Sequence, residues 1–389
     1  MKKLIALLLA CVMVLGLVAC GGNAPETKPQ AGNETTPATN APVVSGVEYK
    51  IAMITDYGDI TDQSFNQTTY EACKLYADTN GVGFTYYKPL GDSDAERIGM
   101  VDAAVADGYN IIVMPGYAFA NTIKATAELY PDVLFFALDV GPGDFGDYVL
   151  PTNVYSAIYQ EELCGYMAGY AAVKLGYKHL GFLGGMAVPA VVRYGYGFVQ
   201  GVDAAAADMG ITGEVVLDYV YGNQFFGDAD ITAVMDTWYS EKGVECVFAC
   251  GGGIWTSAAE AAVKVGGKVI GVDVDQAAII DGLYGEGLTV TSAMKGLGPT
   301  TLDTLADIID NGNWSKYSGQ LATLGLISED PEANYVQIPM ATTQWGEAFT
   351  QDDYKAMVSD MYNGVITVSA DIENVPATEI VVEYHPNIK

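Results

Sequence analysis

Histidine is nearly missing from this sequence: 389 residues contain only His179 and His385. That leaves little for a histidine-rich metal site or a histidine-based catalytic triad. Basic residues are also scarce, with 18 Lys plus Arg against 48 Asp plus Glu, a formal charge of −30. A surface so acidic repels phosphate backbones, which argues against nucleic acid as a partner. Neither G-x-x-x-x-G-K-[ST] nor G-x-S-x-G occurs. Gly195-x-Gly197-x-x-x-Gly201 misses the dinucleotide fingerprint by one residue and falls inside a helical stretch. The expectation is a non-enzyme with no cofactor and no bound metal.

Charged residues make up 17% of the chain and hydrophobic ones 50%, so a large core is available and wholesale disorder is excluded. At about 150 residues per domain, this length suits two domains. The N-terminus reads as a targeting signal. Met1-Lys2-Lys3 is followed by an apolar run from Leu4 to Ala19, 16 residues long. A membrane span needs about 20, so residues 1–19 are expected to be a signal peptide. Leu17-Val18-Ala19-Cys20 looks like a bacterial lipobox, which makes Cys20 the expected lipidation site. Residues 20–46 are rich in Pro, Asn, Thr and Gly and are expected to form a flexible tether. Lipid plus tether would hold the body at the outer face of the cell membrane. The remaining cysteines, Cys73, Cys164, Cys246 and Cys250, lack zinc spacing and read as buried thiols, although spacing alone does not exclude a disulfide.

From about Val47, short apolar runs alternate with longer amphipathic stretches. Nine strands are expected, at Tyr49–Thr55, Gly83–Tyr87, Asn110–Met114, Val133–Leu138, His179–Leu183, Glu214–Val220, Glu245–Ala249, Lys268–Val272 and Leu288–Thr291. Runs such as Asn110-Ile-Ile-Val-Met suit parallel strands covered on both faces. The fold class is therefore α/β, with two doubly wound parallel-sheet lobes. One lobe would comprise 47–150 plus about 292–322, and the other 151–291 plus about 323–389. Residues from about Ser328 are hard to assign, apart from a helix over Asp352–Asn363 and a terminal strand.

Open parallel sheets bind ligands beyond the carboxyl ends of their strands, which directs attention to the residues there. Asp56 follows the first strand, and a carboxylate there serves as a cap or a ligand contact. Ser64 with Gln67 suggests a capping box, which puts Phe65 in the first helical turn, as a core residue or at the cleft. Asp139, Asp273 and Lys295 follow three further strands, and Gly252 sits in a glycine run where backbone can approach a ligand. Acceptors with one cation suit hydroxyls and N–H donors and disfavour phosphorylated ligands.

These residues also carry a resemblance. Ile54-Thr-Asp56-Tyr-Gly-Asp-Ile-Thr-Asp62-Gln-Ser64-Phe65-Asn66 resembles the signature of the basic membrane protein family, which includes the purine nucleoside receptor lipoproteins. Gly181-Phe-Leu-Gly-Gly-Met-Ala-Val-Pro189 with Arg193, Gly197-Phe-Val-Gln-Gly201, Val269-Ile-Gly-Val-Asp273-Val-Asp275-Gln276 and Thr291-Ser-Ala-Met-Lys295 extend it over about Val47 to Ile366. The resemblance implies a monomeric substrate-binding lipoprotein of an ABC importer, with a type I periplasmic-binding-protein fold of two lobes and a hinge. Its partners would be a nucleoside, purine favoured, and the importer's permease and ATPase subunits. Phe65 would stack on the base from one lobe and Phe226 from the other. Asp56, Asp139, Asp273 and Lys295 would hold base edge and ribose hydroxyls, with Tyr57, Asn66, Tyr194 and Trp255 as secondary candidates. Ile254-Trp255 and Tyr194 depart from the family pattern, and Lys295 with Asp273 also suits a salt bridge that fixes a lobe. A free sugar on the same fold, a nucleoside-hydrolysing enzyme and an adhesive or regulatory lipoprotein are the competing readings.

Overall fold

The computed structural model describes residues 47–389. The expected signal peptide, lipidation site Cys20 and tether lie outside the described residues. The nine expected strands are all present, and the last runs four residues further, to Lys295. The first sheet contains β1 (Lys50–Ile54), β2 (Gly83–Tyr87), β3 (Ile111–Pro115), β4 (Leu134–Leu138), β5 (Val154–Tyr159) and β11 (Gln320–Leu324). The second contains β6 (His179–Gly184), β7 (Val216–Tyr221), β8 (Cys246–Cys250), β9 (Lys268–Asp273), β10 (Thr289–Lys295), β12 (Val336–Gln337) and β13 (Val381–Tyr384). Their orders are β11-β5-β4-β3-β1-β2 and β12-β10-β9-β8-β6-β7-β13. The same 2-1-3-4-5 arrangement thus occurs in both lobes, placing β4 opposite β9 and β5 opposite β10. Among the described residues, only β12 is a strand that runs antiparallel to its neighbour. Central strands such as β3 and β8 are buried along their whole length, which explains their unbroken apolar sequences.

The lobe boundaries differ from the sequence expectation in two places. Residues Val154–Tyr159, expected at the start of the second lobe, form β5 and pair with β4 in the first sheet. The run is fully buried, and its polar member Ser156 satisfies its hydroxyl on Val140 O at 2.7 Å, so it serves as a core strand. Residues Ser292–Lys295, expected in the first lobe, pair with β9 in the second sheet. The chain therefore crosses between lobes near Gln160, Gly296 and Gly325. The crossings are tied side by side: Gln160 N donates to Leu324 O, Gly296 N to Tyr335 O, and Tyr335 N to Gly325 O. After the second crossing, helix Leu297–Ile309 packs on helix Phe65–Asn80 of the first lobe.

The glycine pattern that nearly matched a dinucleotide fingerprint has a packing explanation. Helix Glu161–Lys174 lies against helix Pro189–Met209 with glycines facing backbone on both sides. A Cβ at Gly197 would lie 2.1 Å from Glu162 O, and one at Gly201 2.1 Å from Tyr166 O. Gly165 and Gly169 face Tyr194 O and Phe198 O in the same way. Cys73, Cys164, Cys246 and Cys250 are buried, free thiols. Among the described residues, no helix is long and apolar enough to cross a membrane.

Candidate functional site

The carboxyl ends of β1, β3 and β4 face those of β8, β9 and β10 across a cleft of about 420 Å³. The size suits a small molecule held between two walls. On the first-lobe wall, Asp56 Oδ1 accepts from the backbone amides of Tyr57 and Gly58, both at 2.7 Å, and from Asn66 Nδ2 at 3.3 Å. Burial raises the Asp56 carboxyl above its ordinary range, and the two amides oppose the shift. The expected capping box is absent. Asp62 caps the helix instead, accepting from Asn66 N at 2.9 Å and Gln67 N at 3.0 Å. Asn66 Nδ2 also donates to Asp62, so its amide orientation is fixed and its buried Oδ1 has no partner among the described residues. Ser64 is released from capping, and its hydroxyl crosses the cleft to Asp273 Oδ2 at 2.5 Å.

Lys295, at the end of β10, is the centre of a buried charge cluster. Its ammonium bonds Asp139, and lies 3.4 Å from Glu161 Oε1 and 3.6 Å from Asp273 Oδ1. Asp139 is on the first lobe and Asp273 on the second, so this one cation touches both. Burial alone would lower the Lys295 pKa, but Asp139, Asp273 and Glu161 together hold it well above the ordinary lysine value. Burial pushes the Asp139 carboxyl up to about 7, against the pull of Lys295. Asp139 Oδ1 is buried without a hydrogen-bond partner among the described residues. Arg193 Nε donates to Glu161 Oε2 at 2.6 Å, which adds a second cation to the cluster. Asp139 directly follows β4 and Asp273 ends the equivalent strand β9, and both adopt left-handed backbone, at φ 59° and 65°. Aspartate tolerates that conformation better than most side chains, which favours it at these two turns.

The Lys295 ammonium also lies 4.8 Å from the centroid of the Phe65 ring, which lines the cleft. On the second-lobe wall the glycine run makes room for protein rather than for ligand alone. A Cβ at Gly252 would fall 2.7 Å from Phe225 O, and one at Gly185 2.5 Å from the Phe225 ring. Phe225 is thereby seated in the wall, while Phe226 stays 55% exposed at the cleft. At another point the lobes meet through Met186, whose sulfur is 3.7 Å from the Tyr117 hydroxyl and 4.0 Å from that of Tyr57.

Asp56, Tyr57, Phe65, Asn66, Asp139, Tyr194, Phe226, Gly252, Asp273 and Lys295 all line the cleft. Tyr194 is almost wholly buried and donates to Asp273 Oδ1 at 3.3 Å, so it braces that carboxylate. Trp255 does not line the cleft. It is 2% exposed in the second-lobe core, edge-on to Tyr284, because the helix it begins turns its ring away from the strand ends. Glu161 and Tyr117 escape the strand-end rule as applied to the sequence, although each lies only two residues beyond a strand end. The lobe boundary expected at residue 151 hides Glu161, and Tyr117 follows a strand end, Pro115-Gly116, that carries no acid.

Residues 49–339 match the Bmp family, described as "ABC transporter substrate-binding protein PnrA-like". The chain belongs to this family. The ABC transporter nucleoside-binding protein BmpA of Lactococcus lactis subsp. cremoris is 27% identical over 242 residues, 59% of this chain and 65% of that protein. The match thus spans just under two thirds of that relative's length. Basic membrane protein B of Borreliella afzelii is 27% identical over 283 residues, 71% of this chain and 78% of that one. Among solved structures, an ABC transporter system solute-binding protein from Conexibacter woesei aligns with a TM-score of 0.61 at 20% identity. That alignment covers 83% of this chain and 99% of the other, and it identifies the fold of this Bmp family member as the type I periplasmic-binding-protein fold.

Proposed function

We propose that this Bmp family member captures a nucleoside, purine favoured, between its two lobes and delivers it to the permease and ATPase of an ABC importer. The observation that carries the reading is the pairing of Asp139 Oδ1, a buried acceptor without a partner among the described residues, with the aromatic rings of Phe65 and Phe226 on opposite walls. A ribose hydroxyl suits the acceptor and a flat base suits the rings. Asn66 Oδ1, a buried acceptor without a partner among the described residues, and Asp56 would suit N–H groups of a base edge. The cleft's surplus of carboxylates disfavours a phosphorylated ligand. The name of the lactococcal relative supports the same ligand class. The lipobox-like Leu17-Val18-Ala19-Cys20 and the polar stretch after it support a lipid-anchored protein at the outer face of the cell membrane.

Calorimetric titration with inosine, guanosine, adenosine and uridine tests this. Base–aromatic stacking contributes about 1–3 kcal/mol per base, so Phe65→Ala and Phe226→Ala should each weaken binding roughly tenfold or more. No heat with any riboside, or full affinity in both variants, removes the nucleoside reading. Mass spectrometry of the molecule that co-purifies under native conditions is the independent check. Release of free base from inosine would favour the enzyme alternative.

A further inference from the structure

The family match ends at residue 339, yet the chain continues into an ordered segment on the second lobe. Its strand β13 pairs in parallel with β7, from Val381 opposite Val216 to Tyr384 opposite Tyr219. Pairing continues beyond the strand, with His385 N donating to Tyr219 O at 2.8 Å and Ile388 N to Tyr221 O at 2.9 Å. A buried carboxylate clips the segment in place. Asp218 takes His385 Nε2 at 2.5 Å on one oxygen and His179 Nε2 at 2.7 Å on the other, so both histidines of the sequence meet at one residue. Asp218, Glu383 and His385 converge as a cation site would, and the Lys242 ammonium lies against all three, bonded to Asp218 and at 3.1 Å from Glu383 and 3.3 Å from His385. The cluster is therefore complete with a lysine as its cation.

Where β7 ends, the loop Gly222–Asp228 begins, and it carries Phe225 and Phe226 into the cleft wall. The C-terminal segment holds this loop at both of its ends. Ile388 bonds Tyr221, the last residue of β7. Lys389 Nζ lies 2.6 Å from Asp228 Oδ2 and 2.9 Å from Asp230 Oδ2. Asp228 caps helix Ala229–Thr237 through Asp230 N and Ile231 N, and takes Gln224 Nε2 at 3.0 Å. The same Gln224 amide donates to Phe226 O at 2.8 Å. A continuous path of hydrogen bonds thus runs from Lys389 through Asp228 and Gln224 to the backbone of Phe226.

We propose that Val381–Lys389 is a positioning strap for the aromatic loop, and that it sets how firmly Phe226 is presented to the ligand. Its consequence for affinity rests on the nucleoside reading, but its effect on the loop does not. The test is hydrogen exchange by mass spectrometry on the full chain carrying Ile388→Pro with Lys389→Ala. Proline removes the amide that bonds Tyr221, and alanine removes the ammonium. A partly exposed ion pair is worth little alone, so an acceleration of about threefold or more is expected at 222–228 from the two losses together. Exchange in β8 and β9 should not change, and Lys389→Arg alone should exchange like the parent. Unchanged exchange at 222–228 overturns the proposal, and so does equal acceleration across the whole lobe, which signifies lost stability rather than lost positioning. Titration of the double variant with inosine should show weaker binding with faster dissociation than the parent. A parent that binds no nucleoside defeats the functional reading alone, and the exchange measurement still decides the strap.

Discussion

The hydroxyl of Ser64 on the first lobe donates to Asp273 Oδ2 on the second at 2.5 Å, beside the lobe-spanning contacts of Lys295. A serine that precedes a helix usually caps it, but here Asp62 performs that task. The two residues therefore separate two effects. Ser64→Ala should leave the helix intact and weaken ligand binding by about tenfold, since a hydrogen bond to a charged group is worth about 1.5 kcal/mol or more. Asp62→Ala should cost about 1 kcal/mol of stability through the lost cap. Urea unfolding and calorimetry on both variants read the contrast. Equal effects of the two substitutions on stability would remove Ser64 from the lobe contact.

Asp139 gives the binding reaction a pH dependence. Burial raises its carboxyl to about 7 in the folded chain, from an ordinary value of 3.8. A ligand hydroxyl donates to the carboxylate form, so a protonated Asp139 must first lose its proton. Affinity should therefore rise as pH increases through about 7 and level off above it. The folded state holds this proton between 3.8 and about 7, where the unfolded chain has lost it, so ligand-free stability should fall as pH rises across that window. Asp139→Asn should flatten both trends. Titrations in buffers from weakly acidic to weakly alkaline check the sign, and an affinity that falls with rising pH contradicts it.

Gly197→Ala reverses a usual expectation. Alanine inside a helix is normally better than glycine by about 1 kcal/mol. At Gly197 the new methyl would meet Glu162 O at 2.1 Å, with backbone on the other side that cannot swing away. Overpacking of this kind costs about 1–3 kcal/mol, so the variant should unfold at lower denaturant with its ligand preference unchanged. A gain in stability would show that the two helices are not in such close contact.

Much of this was legible in the sequence because parallel strands buried on both faces leave unbroken apolar runs, and because ligands gather where such strands end. Asp56, Asp139, Asp273 and Lys295 were found by that rule alone. The rule failed where a strand was not recognised. The lobe boundary expected at residue 151 separates Val154–Tyr159 from the first sheet, which conceals Glu161. Trp255 was misplaced for a different reason, since sequence gives a residue's distance from a strand end but not the direction its ring turns. Ser64 shows a third limit. Two oxygens, Asp62 and Ser64, competed for the same helix end, and only the partner across the cleft, more than two hundred residues away, decides between them. The resemblance supplied the ligand class, which composition could bound but not name.

Lys295→Met tests the charge cluster itself. The side chain is 3% exposed and is the cation that faces Asp139, Glu161 and Asp273 in a space where burial disfavours uncompensated carboxylates. Removing one partner of a buried ion pair costs about 3–5 kcal/mol, because the remaining charge is left without compensation. Arg193 still pairs with Glu161, so the loss should fall mainly on Asp139 and Asp273. The Asp139 carboxyl, which burial already raises, can escape by taking up a proton. The variant should therefore be most destabilised in alkaline buffer and recover part of its stability as pH falls toward the acid range. Denaturant unfolding of parent and variant at both ends of that range gives the comparison. A methionine variant that matches the parent in alkaline buffer would mean that Lys295 does not hold the cluster together and is free to serve the ligand alone.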